Sequence, residues 1–243
     1  MKKIFTLVLL LAILAGLAVW KVPGLYRDVS YYWTEHTEAE ETIKAFADEH
    51  GIRYSAYPQK LIDLLEQSPV LPAAKDEDAL RRALKCESRA VFLLGGDLLT
   101  IGQWVAMTHE AGKQAVVHLD LVAGLAPKEV AVDWLRQQGA DGIISTRPHL
   151  IRRGRELKML TVLRVFAIDS KAVGNLQKET EMVTPDVIEI LPGTLPKVIE
   201  KLSKNLSIPL IAGGLMADKG DILSALQAGS MCVSTSDESL WEV

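Results

Sequence analysis

From Pro69 to the C terminus, the chain alternates between short β-branched runs and amphipathic helical windows. Eight such runs occur, from VLPAA at 70–74 to CVST at 232–235, and a helical window follows each of them. This alternation is typical of a parallel sheet, because a crossover helix must bring the chain back to the same end of the sheet. Eight strand–helix pairs in about 175 residues predict a compact (β/α)8 barrel of the TIM type over residues 69–243. A doubly wound open sheet is the alternative, and the lack of a GxGxxG turn favours the closed barrel.

The last two predicted strands end in small and hydroxyl-bearing residues, the first in Gly-Gly and the second in Ser-Thr-Ser. TIM barrels often bind phosphate with the loops after strands 7 and 8, where glycine lets backbone N–H groups approach the anion closely. The predicted phosphate-binding residues are therefore Gly213, Gly214, Ser234, Thr235 and Ser236. A tight turn followed by a Ser/Thr helix cap is the alternative interpretation of the same residues.

Polar residues also interrupt the apolar pattern near the ends of the other predicted strands. We expect a polar pocket beside the phosphate site, lined by Asp97, His118, Asp120, Arg164, Glu189 and Gly193. A pocket of this composition predicts a small hydroxylated phosphate ester as the ligand. Structural roles are the alternative: Arg164 and Glu189 can pair inside the barrel, because buried charges need partners, and Asp97 can cap the following helix.

His118 and Asp120 are two residues apart, which places both side chains on one face if the strand continues through them. The pair therefore resembles half a metal site or an acid–base pair, with a satisfied polar network as the alternative. No set of metal ligands completes the site, and no lysine lies within a predicted strand, which argues against Schiff-base aldolase chemistry. The sequence predicts no cofactor and no bound metal.

The segment TRPHLIRRGRELK at 146–158 is the most basic stretch of a chain whose formal net charge is −4. Because the net charge gives no general attraction to nucleic acid, any such contact must come from a local patch. The candidate RNA-backbone contacts are Arg147, Arg152, Arg153, Arg155 and Lys158. A helix distributes these charges around its surface, so a solvated helix face is the alternative interpretation.

The N terminus has a different composition from the rest of the chain. Two lysines precede an apolar run from Ile4 to Trp20 that contains one polar residue. This pattern predicts a signal peptide or a signal anchor over residues 1–20, with possible membrane association through residues 4–20. Either form would place the remainder of the chain outside the cytoplasm. Charged, helix-forming residues follow and predict a helical stalk or linker over 21–68.

Seven motifs lie along the predicted barrel, and an LW pair at 240–241 follows them. They are GGD (95–97), VHLDL (117–121), GIISTR (142–147), RVFAID (164–169), EILPG (189–193), IAGGL (211–215) and VSTS (233–236). In this order they resemble the glycerol uptake operon antiterminator (GlpP) family over residues 69–243. The resemblance implies a TIM-type barrel that binds glycerol 3-phosphate and acts on leader mRNA to prevent premature transcription termination. It also implies a cytoplasmic regulator rather than an enzyme.

Two features depart from that family's pattern. The family often has a glutamine just before the arginine of strand 5, where this chain has Leu163, and its members normally begin close to strand 1. The export-like N terminus conflicts with an RNA-binding role in the cytoplasm.

Two other hypotheses therefore stand beside the regulator. One is an enzyme acting on a small phosphate ester, with His118 and Asp120 or Glu189 as acid and base. The other is a membrane-tethered domain that binds a phosphate ester.

Overall fold

The computed structural model describes residues 67–242 together with Ile62 and Leu65. Within these residues, eight parallel strands form a closed barrel in which each strand pairs with the next and the last pairs with the first. The strands are β1 (Val70–Ala74), β2 (Ala90–Leu93), β3 (Gln114–His118), β4 (Gly142–Ser145), β5 (Leu160–Phe166), β6 (Val187–Leu191), β7 (Leu210–Gly213) and β8 (Cys232–Thr235). The predicted TIM-type barrel is confirmed.

Seven α-helices among the described residues form the crossovers of the barrel. They are α1 (Glu77–Ala83), α2 (Ile101–Glu110), α3 (Glu129–Gln137), α4 (Pro148–Glu156), α5 (Ser170–Val183), α6 (Pro196–Asn205) and α7 (Lys219–Gln227). Short 3₁₀ helices at Leu119–Leu121 and Glu238–Leu240 follow β3 and β8. Side-chain caps fix two of the helix starts, since Asp76 accepts a hydrogen bond from the Ala79 amide and Asp218 accepts one from the Asp221 amide.

The predicted signal peptide or signal anchor at 1–20, including the apolar run at 4–20, lies outside the described residues. Most of the predicted stalk at 21–68 also lies outside them. In the part of the chain that the structure describes, no helix combines the length and the apolar composition that a membrane span needs.

Alternate residues along the strands pack into two separate apolar clusters, because successive side chains of a strand point to opposite faces. One cluster fills the barrel interior and contains Leu71, Ala73, Phe92, Val116, Ile144, Val162, Val187, Ile211 and Cys232. The other lies between the barrel and its surrounding helices, and its strand residues include Val91, Val117, Ile143, Leu163 and Ile188. This alternation decides which strand-end residues face the mouth of the barrel and which face the helices.

Two residues that precede β1 also belong to the interior cluster. Ile62 and Leu65 are helical, and Leu65 is fully buried among the residues inside the barrel. The Leu65 carbonyl accepts a hydrogen bond from the amide of Ser68 at 3.1 Å, two residues before β1 begins. This helical segment therefore packs at the amino-terminal end of the barrel, and the hydrophobic core includes residues upstream of 69.

Candidate ligand-binding site

A buried polar network lies inside the barrel near the carboxyl ends of β5, β6 and β8. The guanidinium Nε of Arg164 donates to Oε2 of Glu189 at 2.6 Å, and the Ser234 hydroxyl donates to Oε1 of the same carboxylate. The side chains of Arg164 and Glu189 are 9% and 1% exposed. Both carboxylate oxygens are therefore engaged, and the predicted Arg164–Glu189 pair forms. The two Nη groups of Arg164 have no hydrogen-bond partner among the described residues.

Gly213, at the end of β7, makes room for this network. A Cβ atom at that position would lie 2.6 Å from the Ser234 hydroxyl and 2.7 Å from Oε1 of Glu189, well inside van der Waals contact. The first glycine of the Gly-Gly pair therefore has a packing role in addition to any role in anion binding. Ser234, which was predicted as a phosphate contact, directs its hydroxyl to the carboxylate instead.

His118 is the last residue of β3 and is only 2% exposed. Its Nδ1 atom is buried and has no hydrogen-bond partner among the described residues. Burial, which has the largest effect, and the positive charge of Arg164 together lower the pKa of His118 to about 4, with Asp120 opposing both effects. The imidazole is therefore neutral at neutral pH. A buried nitrogen without a partner is costly, and it marks the position where a ligand would complete the site.

Asp120 does not share a strand face with His118, because β3 ends at His118 and the chain turns into a 3₁₀ helix. Its carboxylate accepts hydrogen bonds from the Ser145 hydroxyl at 3.0 Å and from the Thr146 amide at 2.8 Å. Arg147 lies 3.5 Å from the same group. The sequence interpretation of the pair as two strand residues was wrong at this point, and Asp120 instead joins the loops that follow β3 and β4.

The Asp97 carboxylate makes its hydrogen bonds within its own turn rather than inside the barrel. Its Oδ1 atom accepts hydrogen bonds from the amides of Leu99 and Thr100 at 2.8 and 2.9 Å and from the Thr100 hydroxyl. These hydrogen bonds, led by the one from the Thr100 side chain, lower the pKa of Asp97. The carboxylate stabilises the turn from Asp97 to Thr100, and Thr100 rather than Asp97 is the N-cap residue of α2.

Two backbone amides just beyond β7 and β8, those of Leu215 and Ser236, have no hydrogen-bond partner among the residues that the structure describes, whereas the register of Gly213 with Ser234 directs the Gly214 amide to β8. Gly214 and Leu215 both adopt positive φ angles, of 72° and 59°. Unpaired backbone N–H groups in neighbouring turns of this kind can form concave sites for anions. Leu215 was not among the predicted site residues, because its contribution is an amide that the side chain does not reveal.

The neighbouring groups fix this turn in place. The Gly193 amide donates to the carbonyls of both Gly213 and Gly214, at 2.6 and 3.2 Å. A Cβ atom at Gly193 would lie 2.8 Å from the Gly213 nitrogen, so only glycine allows this approach. Gly193 therefore supports the turn after β7. The Thr235 hydroxyl accepts the Asp237 amide at 3.1 Å, which stabilises the turn after β8.

An apolar rim surrounds these polar groups at the mouth of the barrel. Phe166 follows Arg164 on the same face of β5, is 48% exposed, and is in register with Leu191 of β6. Leu163, where the antiterminator family often has glutamine, lies on the opposite face of β5 and is buried in the cluster between the barrel and the helices. This departure therefore does not alter the lining of the site.

The predicted RNA contacts follow β4 and lie in or beside the outer helix α4, with Arg147 just before it and Lys158 just after it. The arginines pair with carboxylates: Arg147 with Asp120, Arg152 with Glu129, Arg153 with Asp133 and Arg155 with Asp186. The Arg153 pair is the closest, at 2.6 Å, and its hydrogen bonds raise the pKa of the Arg153 guanidinium. The acids balance much of the positive charge of the segment, so its attraction to a polyanion is smaller than the sequence suggests.

The described residues contain no group of three histidine, cysteine or acidic side chains placed to hold a metal ion. The site they form combines two unpaired amides, a buried Arg–Glu–Ser network and a neutral histidine around one end of the barrel. Such a site suits a small monoanionic or dianionic ligand that carries hydroxyl groups.

Comparison with known proteins identifies the family. Residues 70–241 match the family described as "Glycerol-3-phosphate responsive antiterminator". The chain belongs to this family. The resemblance to the glycerol uptake operon antiterminators is therefore confirmed, and the family is one of regulatory proteins.

Solved structures agree with this assignment. The chain is similar to the glycerol uptake operon antiterminator regulatory protein from Listeria monocytogenes, with 34% identity, a TM-score of 0.69, and coverage of 72% of this chain and 95% of that one. An antiterminator-related protein from Thermotoga maritima is 32% identical, with a TM-score of 0.65 and coverage of 72% and 98%. The Escherichia coli protein YgcP is 38% identical over 182 residues, which are 74% of this chain and 95% of that relative.

A more distant similarity extends to aldolases. The deoxyribose phosphate aldolase from Aeropyrum pernix is 15% identical, with a TM-score of 0.57 over 74% of this chain and 89% of that one. At this identity the likeness shows a shared barrel fold and carries no activity with it. None of the eight described strands of this antiterminator family member carries a lysine, the residue that Schiff-base chemistry requires.

Proposed function

We propose that this protein is a glycerol-3-phosphate-responsive antiterminator that binds the ester at the carboxyl-terminal mouth of its barrel and acts on leader mRNA. The unpaired amides of Leu215 and Ser236, after β7 and β8, carry the proposal, because they supply hydrogen-bond donors where barrels of this kind hold phosphate. The name of the Listeria relative, a glycerol uptake operon antiterminator, supports the same assignment.

The charges around these amides fit an ester of this size. Arg164 supplies a positive charge inside the barrel, and its two Nη groups have no described partner. Glu189 fixes the guanidinium through Nε, so Arg164 is held in one orientation before the ligand arrives. The phosphate would lie on the amides of Leu215 and Ser236, next to Gly214, and the glycerol part would extend towards the interior.

The first prediction concerns ligand binding. Calorimetric titration of the full chain should show saturable binding of glycerol 3-phosphate and none of glycerol. Gly214→Val should reduce the affinity at least 10-fold, because a β-branched residue is strained at a φ of 72° and moves the adjacent amides. Gly112→Val is the matched control, since Gly112 has a φ of 74° in the turn before β3, at the opposite end of the barrel, and no atom within 4 Å of an added Cβ.

Equal losses of affinity in the two variants would show that strain, not the anion site, explains the effect. Thermal unfolding of both proteins, measured beside the titrations, separates the two causes. If the wild-type chain binds neither glycerol 3-phosphate nor inorganic phosphate, the proposed function is wrong.

The second prediction concerns leader RNA. We propose that Arg147, Arg152, Arg153, Arg155 and Lys158 contact the RNA backbone. Arg152 and Arg155 form long ion pairs with their acids, at 3.6 Å, and Arg155 also donates a hydrogen bond to the Thr184 carbonyl. We choose these two arginines because both lie on α4 and both are partly exposed. The double variant Arg152→Gln, Arg155→Gln should bind the leader RNA of a glycerol uptake operon more weakly. Its salt dependence, as the slope of log K against log salt, should fall by roughly 1.5 units.

The matched control is Arg81→Gln on α1, where an arginine of similar exposure pairs with Glu77. Binding is measured by gel shift with and without saturating glycerol 3-phosphate. An unchanged salt slope in the double variant would show that the RNA contacts another surface. Absence of RNA binding in both conditions would contradict the antiterminator step.

A further inference from the structure

We infer that His118 hydrogen-bonds the hydroxyl group of the ligand that is farthest from its phosphate, and that it thereby makes the site selective for esters carrying that hydroxyl. The inference rests on the proposed function, because it assumes a phosphate ester at the mouth of the barrel. It adds the residue that distinguishes one ester from another.

One buried polar side chain at the mouth of the barrel lacks a hydrogen-bond partner among the described residues. Both oxygens of Glu189 are engaged by Arg164 and Ser234, and the Arg164 Nε is engaged in turn. Among the described side chains, the buried polar atoms without a partner are His118 Nδ1 and Ser230 Oγ, and Ser230 precedes β8 at the other end of the barrel. His118 is thus the buried side chain at the mouth that still needs a hydrogen-bond partner.

The strand order of the barrel places His118 across the mouth from the unpaired amides. The unpaired amides of Leu215 and Ser236 follow β7 and β8, whereas His118 ends β3. In a closed ring of eight strands, β3 lies four strands from β7 and is therefore directly across the mouth from it. A ligand whose phosphate contacts the amides can reach His118 only with its opposite end.

The chemistry of the imidazole selects the kind of group at that end. His118 is buried and neutral, and Arg164 lies close enough to disfavour a second positive charge. A neutral imidazole nitrogen is an acceptor or a donor according to its tautomer, and a hydroxyl group satisfies either role. A methyl group would leave the nitrogen unpaired, and sites with a buried polar group reject such analogues strongly.

The experiment compares three phosphate esters by calorimetry on the full chain. Glycerol 3-phosphate has both hydroxyls, 1,2-propanediol 1-phosphate lacks the one farthest from phosphate, and 1,3-propanediol 1-phosphate lacks only the middle one. The wild-type protein should bind glycerol 3-phosphate about 10- to 100-fold more tightly than 1,2-propanediol 1-phosphate. In His118→Phe this preference should fall below about 3-fold, with the affinity for 1,2-propanediol 1-phosphate retained. The ratio of the affinities for glycerol 3-phosphate and 1,3-propanediol 1-phosphate, which reports on the middle hydroxyl, should be the same in the variant and the wild type.

His118→Asn tests the same point if the phenylalanine variant does not fold, because its amide places a polar atom near the position of Nδ1 and should keep most of the preference. Glu200→Gln, on the exposed surface of α6, is the control and should behave as the wild type. The inference is overturned if His118→Phe keeps the preference for glycerol 3-phosphate over 1,2-propanediol 1-phosphate, or if the wild type binds these two esters equally. Either result leaves the proposed function intact. A wild type that binds no phosphate ester would overturn both.

Discussion

Replacement of Glu189 by alanine should lower the free energy of unfolding by about 3–5 kcal/mol. The substitution leaves the 9%-exposed Arg164 without its counter-charge and removes the acceptor of the Ser234 hydroxyl. A buried charge that has lost its partner costs far more than the intact pair contributes, because the guanidinium stays desolvated. Urea unfolding followed by far-ultraviolet circular dichroism measures the loss.

Two further variants establish the cause. The double variant Arg164→Met, Glu189→Leu removes both charges together and should recover most of the stability, since apolar residues of similar size often replace a buried ion pair at little cost. Glu77→Ala, which breaks an exposed ion pair with Arg81 on α1, should cost less than about 1 kcal/mol. If Glu189→Ala and Glu77→Ala lose equal stability, the Arg164–Glu189 pair is not the buried network described above.

Replacement of Leu65 by alanine should lower the free energy of unfolding by about 2–5 kcal/mol. Leu65 is fully buried in the cluster inside the barrel, together with Phe92 and Val116, so truncation leaves a cavity there. A chain that begins at residue 69 lacks this side chain and Ile62, and it should be less stable than the full chain for the same reason. Urea unfolding of the variant and the shortened chain provides the measurement.

Leu99 is the matched control for this substitution, because it is a leucine with 91% exposure in the loop after β2. Leu99→Ala should change the free energy of unfolding by less than about 0.5 kcal/mol. Equal stability of Leu65→Ala and the wild type would show that the segment before β1 does not close the barrel interior. The barrel would then be an independent unit from residue 69 onward.

The order and type of the elements could be predicted from the sequence because local patterns determine them. Short β-branched runs separated by amphipathic windows specify eight strand–helix pairs, and the observed strands β1, β6 and β8 have the predicted bounds. The direction of parallel strands then places their carboxyl ends on one face, so the candidate residues at those ends could also be predicted. His118, Arg164, Glu189 and Gly213 all come together at this face.

What each of these residues does depends on contacts between distant parts of the chain. The end of β3 at His118 takes Asp120 away from the strand face and to the loop after β4, where the Thr146 amide binds it. Such a change of direction is set by packing across the barrel, and a spacing of two residues does not reveal it.

The sequence by itself therefore determined the barrel, its family and the face on which a ligand would bind, because periodicity, strand direction and motif order are local properties of the chain. The tertiary structure alone decided that Gly213 makes room for Glu189, that the amides of Leu215 and Ser236 lack partners among the described residues, and that Leu65 lies in the core. These features depend on contacts between residues far apart in sequence, and only the closed barrel brings those residues together.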